Sequence, residues 1–592
     1  MKTDDPNYYH KIVDCQWACP AHTNVPEYIR LIADKRYSEA YLLNRKSNVF
    51  PGILGRVCDR PCEPACRRGR LQNEKPVAIC RLKRVAADYK QDISQYLPPV
   101  PPKKNGKKVA LIGAGPASLT VANDLLPLGY DLTLFEKETL AGGAMRASVP
   151  LFRLPKKVLD EEIGYIIDRG VKAVFNHPVK SLKTLADEYD AVFVGSGAPL
   201  GRDLVLPGRK EGAAGIFVGL DWLASIAFEH TSKIGKEVIV IGGGNTAMDC
   251  CRSALRLGAK NVNVIAPEAF SEMLASEWEK EDAVEEGVKF KNNLLPEKYE
   301  VKDGKLVGIW FQPLIRCYDE KKHWNPIKDE SKGLEFVPCD AVVLAIGQNT
   351  AFPFIERDMG VEFSKNDRPI VDTTTMGCSH PKVFFGGDAA FGPKNIIWAV
   401  AHGHEAALSI HLALSGKDVK ARPPQSMQLV SQKMGIHEWS YDNDIAAYNR
   451  TSMPHVALGE RFQKIEKEVE LGFDEKLAFK EAERCLNCDV QTVFTEKQCI
   501  ECDACIDICP VDCLSITANG DEGDIVKRIN APYLNKEQHL YVSQPLKDTA
   551  RVMVKDENLC LHCGLCAERC PTGAWDMQKF ALNLPQAVNS NG

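Results

Sequence analysis

Aliphatic runs that end in glycine-rich turns recur through the middle of the chain, each followed by apolar positions at helical spacing. "KKVALIGAGPASLTVANDLL" reads as a β-branched strand, a tight turn and the start of a helix, and "DLTLFEK" supplies the next strand. "GKEVIVIGGGNTAMDCCRSALRLGAKNVNVI" repeats strand, turn and helix. A third element, "KVFFGGDAAFGPKNIIWAVAHGHEAA", ends its strand at Gly386, Gly387 and Asp388 before another helix, and "DAVFVGSGAP" and "DAVVLAIGQ" extend the strand pattern. No apolar run approaches the roughly 18 to 20 residues needed to cross a bilayer. "MKTDDPNYYH" lacks the apolar core of a signal peptide, so the expected location is cytoplasmic, without membrane insertion.

At 592 residues the chain is too long for one core, and 44% apolar with 26% charged residues is ordinary for a soluble multidomain protein. A net charge of -5 without clustered Lys and Arg argues against nucleic acid or acidic membrane as partners. The 22 cysteines change the picture more. A large cytoplasmic chain keeps thiols reduced, so clustered cysteines there more often hold metal than form disulfides.

"CIECDACIDICP" places Cys499, Cys502, Cys505 and Cys509 as C-x2-C-x2-C-x3-C-P, and "CLHCGLCAERCP" repeats the spacing with Cys560, Cys563, Cys566 and Cys570. Two such runs form the bacterial two-cluster ferredoxin signature, in which the fourth cysteine of each run ligates the other cluster. One 4Fe-4S cluster is therefore assigned to Cys499, Cys502, Cys505 and Cys570, and a second to Cys560, Cys563, Cys566 and Cys509. Structural zinc uses separated pairs rather than this triplet. The polar stretch "TANGDEGDIVKRINAPYLNKEQ" between the runs reads as a surface insertion, and Cys513 as buried packing.

Gly113, Gly115 and Ser118 occupy the G-x-G-x-x-G positions of the first glycine turn, and Glu136 lies 23 residues beyond Gly113, where an acid holds a ribose hydroxyl. Gly242, Gly244 and Ala247 occupy the same positions in the second turn. In this chain order the elements resemble the flavoprotein disulfide reductase fold, in which the first turn binds FAD, the second binds NAD(P)H, and the late aspartate, here Asp388, contacts the flavin. More narrowly, "GAGPASLT", "AGGAMRASVPLFRLPK", "GGGNTAMDCCRSALRLGA" and "GGDAAFGPKNIIWAVAHG" resemble the small-subunit family of glutamate synthase, shared with the flavin half of dihydropyrimidine dehydrogenase, over roughly residues 10 to 425. Members pass electrons between NAD(P)H, FAD and 4Fe-4S clusters. The resemblance implies cofactor contacts at Gly113, Gly115, Pro116, Ala117, Glu136, Gly143, Arg153, Gly347, Gly387, Asp388, Asn395 and Ile396, with FAD at the first turn and at Asp388, and at Gly242, Gly244, Asn245, Thr246 and Ala247 for the nicotinamide cofactor. Where NADPH-using members carry a Tyr-Arg-Arg triplet, this chain has Ala266, Pro267 and Glu268. A carboxylate there repels a 2'-phosphate and accepts from a 2'-hydroxyl, which points to NADH. The alternative is a solvated Glu268 with a distant Lys or Arg on the phosphate.

The head, with Cys15 and Cys19 in "DCQWACP" and Cys58, Cys62 and Cys66 in "RVCDRPCEPACRRG", resembles the helical two-cluster domain that precedes the flavin in this family. The family's opening C-x2-C, in a setting like EA-x-RCL-x-C, has no place in the fourteen residues before Cys15. "EAERCLNCDV" supplies that phrase far downstream, so Cys485 and Cys488 are expected beside Cys15 and Cys66, completing one cluster in space. A separate metal, a dimer contact or no function at all are the alternatives. The second N-terminal cluster takes Cys19, Cys58 and Cys62, with Cys80 as the fourth thiolate rather than Lys83, which falls near the position of the family's Gln or Glu ligand, because thiolate suits iron and ammonium does not. That makes four 4Fe-4S clusters. Cys250, Cys251, Cys317, Cys339 and Cys378 read as buried thiols.

The expected fold class is multidomain α/β: a helical iron-sulfur domain (1–100), two Rossmann-like dinucleotide domains of flavoprotein disulfide reductase type, and a C-terminal α+β ferredoxin-like domain (491–592). The FAD domain is expected in two parts (101–220 and 340–425) around an NAD(H) domain (221–339), with 426–490 as the tether and helix that bring back Cys485 and Cys488. No nucleophile, triad or carboxylate pair suggests a hydrolase, so no side chain is assigned to catalysis. Trp398, His402 and His404 read as helix packing. The leading expectation is an NADH-linked electron-transfer subunit of a hetero-oligomer, partnered by another oxidoreductase subunit or a ferredoxin, for example a 2-oxoacid:ferredoxin oxidoreductase. The alternatives are a glutamate synthase small subunit using NADPH, and a cluster-wiring scaffold with little nicotinamide turnover.

Overall fold

The computed structural model describes residues 13–70, 74–423, 448–518, 520, 521, 523 and 539–587, with 426–431 described as backbone only. Most of the polar insertion expected between the ferredoxin runs lies outside the described residues. The chain divides into two compact units, one of residues 1–97, 421–453 and 472–592, the other of 98–420 and 454–471.

In the first unit, helices Val25–Ala33, Tyr37–Asn48, Pro51–Val57 and Ile79–Tyr89 pack around buried Tyr28, Tyr41, Phe50 and Leu82. Asn24 starts the first of these by accepting the Glu27 N–H (3.3 Å), and Pro26 sits in its first turn, where a missing N–H costs nothing. Asp474 caps helix Glu475–Ala482 in the same way, accepting from the Leu477 N–H at 2.7 Å. Two small antiparallel sheets complete the unit. Strands Ser426–Ser431 and Val490–Phe494 flank Trp575–Asn583, and Leu514–Thr517 and Tyr541–Val542 flank Val552–Lys555. Their shared core contains Phe494, Met553, Trp575 and Phe580, together with several of the cysteines.

The second unit carries two five-stranded parallel sheets. One runs in the order Val383–Phe385, Ala191–Val194, Lys108–Ile112, Asp131–Phe135, Lys172–Val174, with its central strands buried on both faces, as parallel sheets covered by helices require. The other runs Ile216–Val218, Ala341–Leu344, Glu237–Ile241, Asn261–Ala266, Lys289–Asn292. This order corrects the expected boundaries at 220/221 and 339/340. Val342 is registered with both Ile216 and Ile239, so 216–218 and 341–344 belong to the nicotinamide-side sheet. A strand hydrogen-bonded on both edges cannot be assigned to another domain. An antiparallel sheet of Leu294–Lys302, Lys305–Tyr318, Trp324–Lys328 and Glu335–Pro338 was not foreseen.

Candidate functional sites

The first glycine turn joins strand Lys108–Ile112 to helix Pro116–Leu125. Three further segments converge on it. Gly143, at φ +52°, lies so close that a Cβ there would meet the Gly115 Cα at 2.8 Å. Helix Ile396–Leu414 packs its Gly403 against Thr120 and the Ala117 carbonyl, where a Cβ would fall within 2.7 Å of both. That contact brings the Gly387–Asp388 loop to the turn, with Gly387 against Ala117. The Glu136 carboxylate accepts the N–H groups of Ala114 (2.7 Å) and Glu138 (2.9 Å), bracing the turn at the edge where a ribose would sit. Asp388 accepts from the Lys394 N–H at 2.9 Å, and burial pushes its carboxyl up to about 6. Asn395 caps the helix through Trp398 N–H (3.2 Å), leaving Ile396 in its first turn. The shielded Ser196 Oγ, beside Gly113, has no hydrogen-bond partner among the described residues. Close backbones, a helix N-terminus and an orphaned hydroxyl fit a dinucleotide phosphate, and Ser196 went unnoticed within "DAVFVGSGAP".

Gly347 adopts φ +105° beside Arg202, after strand Ala341–Leu344 of the second sheet. Arg153 pairs with Asp249 (2.6 Å) and Glu279, in a buried network continued by Arg252 and Glu286. The expected helix histidines are packed: His402 stands edge-on to Phe391 at 4.7 Å, and His404 bonds Asp124 at 2.6 Å. Burial pushes His402 down to about 4.

At the second turn, helix Asn245–Arg256 starts after Gly244, with Thr246 and Ala247 in its first turn. Asn245 accepts the Ser276 N–H (2.8 Å), and the Ala275 N–H bonds the Gly243 carbonyl (2.9 Å), which holds the 269–276 loop against the turn. Glu268 lies against Gly243 so closely that a Cβ there would meet its Oε1. Burial raises the Glu268 carboxyl, and nearby Glu272 raises it further. Glu268 thus lies at the turn itself, with the charge of Glu272 close enough to act on it.

The N-terminal cysteines gather in two groups. Cys15, Cys66, Cys485 and Cys488 line one small cavity with Pro26, Ile29 and Arg67. Burial, then Cys66, Cys488 and Cys485, push the Cys15 thiol up. The downstream pair is held from both sides. On one side buried Glu481 accepts N–H groups of Ala78 (2.8 Å) and Thr451 (2.7 Å), and Arg484 donates to Glu481 (2.8 Å) and to the Lys75 carbonyl (2.6 Å). On the other, Arg30 grips Asp489 at 2.7 Å and Asn487 at 3.2 Å. The second group is Cys58, Cys62 and Cys80, with Cys19 alongside. Hydrogen bonds from Cys58 and Cys62 hold the Cys80 thiol well below its ordinary range. Burial alone would push the Lys83 ammonium down, but Cys80, Cys58, Cys62 and Cys19 press it up overall. Lys83 stands beside this group as a buried counter-charge.

The ferredoxin cysteines form two groups as well. Cys499, Cys502, Cys505 and Cys570 line a cavity with Phe494, Ile516 and Trp575, and Cys502 is exposed. Cys509, Cys560 and Cys566 pack in one core, and Cys563 feels the charge of Cys560 and Cys509. Cys513 is buried as expected, but it touches this last group, 3.5 Å from Cys509 and hydrogen-bonded to Cys560. All four groups contain the same local turn. The residue two after a cysteine is left-handed and gives its N–H to that sulfur: Arg60 to Cys58, Glu501 to Cys499 and His562 to Cys560 at 3.4 Å each, and Asn487 to Cys485. Left-handed non-glycine residues cost about 1 kcal/mol or more each, and N–H donors aimed at sulfur suit thiolates of iron-sulfur clusters. The four donor sets fit such clusters.

The pyridine nucleotide-disulphide oxidoreductase family matches residues 107–403, the dihydropyrimidine dehydrogenase domain II, 4Fe-4S cluster family residues 9–95, and the 4Fe-4S dicluster domain residues 498–574. The NADP(+)-dependent formate dehydrogenase subunit beta of Moorella thermoacetica is 36% identical over 502 residues, covering 80% of this chain and 70% of that one. The glutamate synthase [NADPH] small chain of Escherichia coli is 32% identical over 420 residues (66% and 87%). An NAD-dependent dihydropyrimidine dehydrogenase subunit PreT homolog of Salmonella typhi is 32% identical over 403 residues (67% and 90%).

Proposed function

The chain belongs to the pyridine nucleotide-disulphide oxidoreductase family, as an NAD(P)H-dependent FAD and iron-sulfur oxidoreductase of the kind that includes the glutamate synthase small chain, and from that premise we propose that it is an NADH-linked electron-transfer subunit with four 4Fe-4S clusters. The observation that carries the reading is the gathering of Cys15 and Cys66 with Cys485 and Cys488, which turns a stranded pair into a fourth complete thiol set.

The ligand sets are Cys15, Cys66, Cys485 and Cys488; Cys19, Cys58, Cys62 and Cys80; Cys499, Cys502, Cys505 and Cys570; and Cys509, Cys560, Cys563 and Cys566. Gly113, Gly115 and the start of helix Pro116–Leu125 would hold the FAD pyrophosphate, Glu136 its ribose, and Asp388 with the Ile396 helix start the flavin end. When bound, FAD supplies the exchange between a two-electron hydride donor and one-electron carriers. Gly242 to Ala247 would seat the nicotinamide cofactor. Glu268, with Glu272 near it, favours a ribose hydroxyl over a 2'-phosphate, although two of the three relatives above are named for NADP or NADPH.

The relatives named as subunits point to a hetero-oligomer, with another oxidoreductase subunit or a ferredoxin as the electron partner. Anaerobic titration of purified protein with NADH and with NADPH, followed by flavin absorbance and EPR, tests the whole reading. Iron for four cubane clusters, all reducible by NADH at a kcat/KM above that for NADPH, is the expected result. A preference for NADPH rejects the role of Glu268, and clusters that NADH cannot reduce reject the electron-transfer reading in favour of a scaffold.

A further inference from the structure

Several hydrogen bonds join the two cysteine regions of the first unit, and two of them reach a ligand cysteine directly. His562 lies between Cys560 and Cys563 and is almost fully buried. Its Nδ1 lies 2.9 Å from the carbonyl oxygen of Cys488, and because a carbonyl only accepts, Nδ1 carries the hydrogen. The backbone N–H of the same residue donates to the Cys560 sulfur at 3.4 Å. Nε2 faces the buried Glu557 carboxylate at 3.4 Å. Beside this contact, Arg67, which follows Cys66 in the chain, donates from Nη1 to the Cys560 carbonyl at 2.7 Å while its Nε bonds Asp14, the residue before Cys15, at 2.6 Å. Each bond therefore joins a ligand cysteine, or its immediate neighbour, of one group to a ligand cysteine of the other.

We propose that His562 and Arg67 form the electronic contact between the cluster held by Cys15, Cys66, Cys485 and Cys488 and the cluster held by Cys509, Cys560, Cys563 and Cys566. The proposal rests on the ligand sets given above. The step is a one-electron transfer from a reduced cluster to an oxidised neighbour; no bond forms or breaks, and His562 keeps its proton. The contact sets an order for the wire. Ile79, the residue before Cys80, lines the same cavity as Cys15, Cys66, Cys485 and Cys488, which makes the Cys19 group the neighbour of the Cys15 group. Electrons cross from there through His562 and Arg67 to the Cys560 group and then to the Cys499 group, whose exposed Cys502 makes it the port for an external one-electron carrier. His562 and Arg67 are positioning residues, since neither is a ligand.

The test is rapid-freeze EPR of the full chain after anaerobic mixing with NADH, with iron determined on each sample. In His562→Leu, iron content stays that of the unaltered protein while reduction of the ferredoxin clusters slows about tenfold, the usual scale for an outer-shell partner. His562→Asn, whose amide nitrogen can donate from near the place of Nδ1, restores the rate. Ferredoxin clusters reduced at the unaltered rate in His562→Leu overturn the proposal. If that variant loses iron, a potentiometric titration of the unaltered protein decides: the EPR signal that Cys485→Ser, Cys488→Ser abolishes should broaden as the ferredoxin clusters take up electrons, and a line shape indifferent to them overturns the contact. Too little iron for four clusters in the unaltered protein removes the ligand sets themselves, which separates that failure from a failed contact.

Discussion

The ferredoxin cysteines and the N-terminal cysteines reach the same end by different routes. In the ferredoxin region each group takes three thiols from one short run and a fourth from the other run, inside a core of Phe494, Met553, Trp575 and Phe580. Local turns do most of the assembly, and one group ends at the surface with Cys502. The group of Cys15, Cys66, Cys485 and Cys488 is drawn from segments hundreds of residues apart, and no local turn could bring them together. Buried charge does that work instead: Glu481 and Arg484 fasten the pair to residues 74–78, and Arg30 fastens it to the helix Val25–Ala33. Beside the N-terminal thiols, Arg67 is buried and paired with Asp14, and Lys83 is buried next to Cys80, Cys58, Cys62 and Cys19. A site made from distant segments thus depends on its clamps, and a site made from a run depends on its spacing.

The largest expected effect breaks the distant site and leaves the run-built ones alone. Cys485→Ser, Cys488→Ser should lose one cluster of four, read as a fall of a quarter in iron, with the ferredoxin EPR signals retained; unchanged iron would return the pair to a separate function. Next is the clamp. Glu481→Ala leaves Arg484 only its longer pair with Glu74 (3.2 Å) and strips acceptors from the N–H groups of Ala78 and Thr451, so it should destabilise the first unit by about 3 kcal/mol. Denaturant melts of the iron-loaded protein measure this, and a loss below about 1 kcal/mol would mean that the pair is held by packing rather than charge. The smallest effect concerns the counter-charge. Lys83→Met removes a positive charge beside Cys19, Cys58, Cys62 and Cys80, so adding an electron there becomes harder and that cluster's potential should fall by on the order of 60 mV, a tenfold change for a one-electron couple. An EPR redox titration showing no shift, or a rise, would count against charge compensation as the role of Lys83.

The legibility of the molecule followed the same division. Strand, glycine turn and helix are local, so both parallel sheets were visible in "KKVALIGAGP" and "EVIVIGGGN". The boundary between them was misplaced because sequence does not say which sheet will take 216–218 and 341–344; only pairing of Val342 with Ile216 and Ile239 settles that. Ser196 was missed because a lone serine carries no spacing signal, and only its shielded, unpartnered hydroxyl beside Gly113 distinguishes it. Cys513 was legible as buried, but its contact with Cys509 and Cys560 was not, since a residue after the proline turn can point either way.

By itself the sequence determined what short-range stereochemistry can determine: the glycine turns, the triplet spacing of the ferredoxin runs, and the acid at 268 in place of a basic pair. It also carried the phrase around Cys485 and Cys488, though not where that phrase would come to rest. Tertiary structure decided which thiols share a cavity, which strands share a sheet, and that His562 and Arg67 join two cysteine groups. The physical reason is range: backbone turns act over a few residues, whereas closing a chain of several hundred residues is an entropic cost that only a folded core and its buried charges offset.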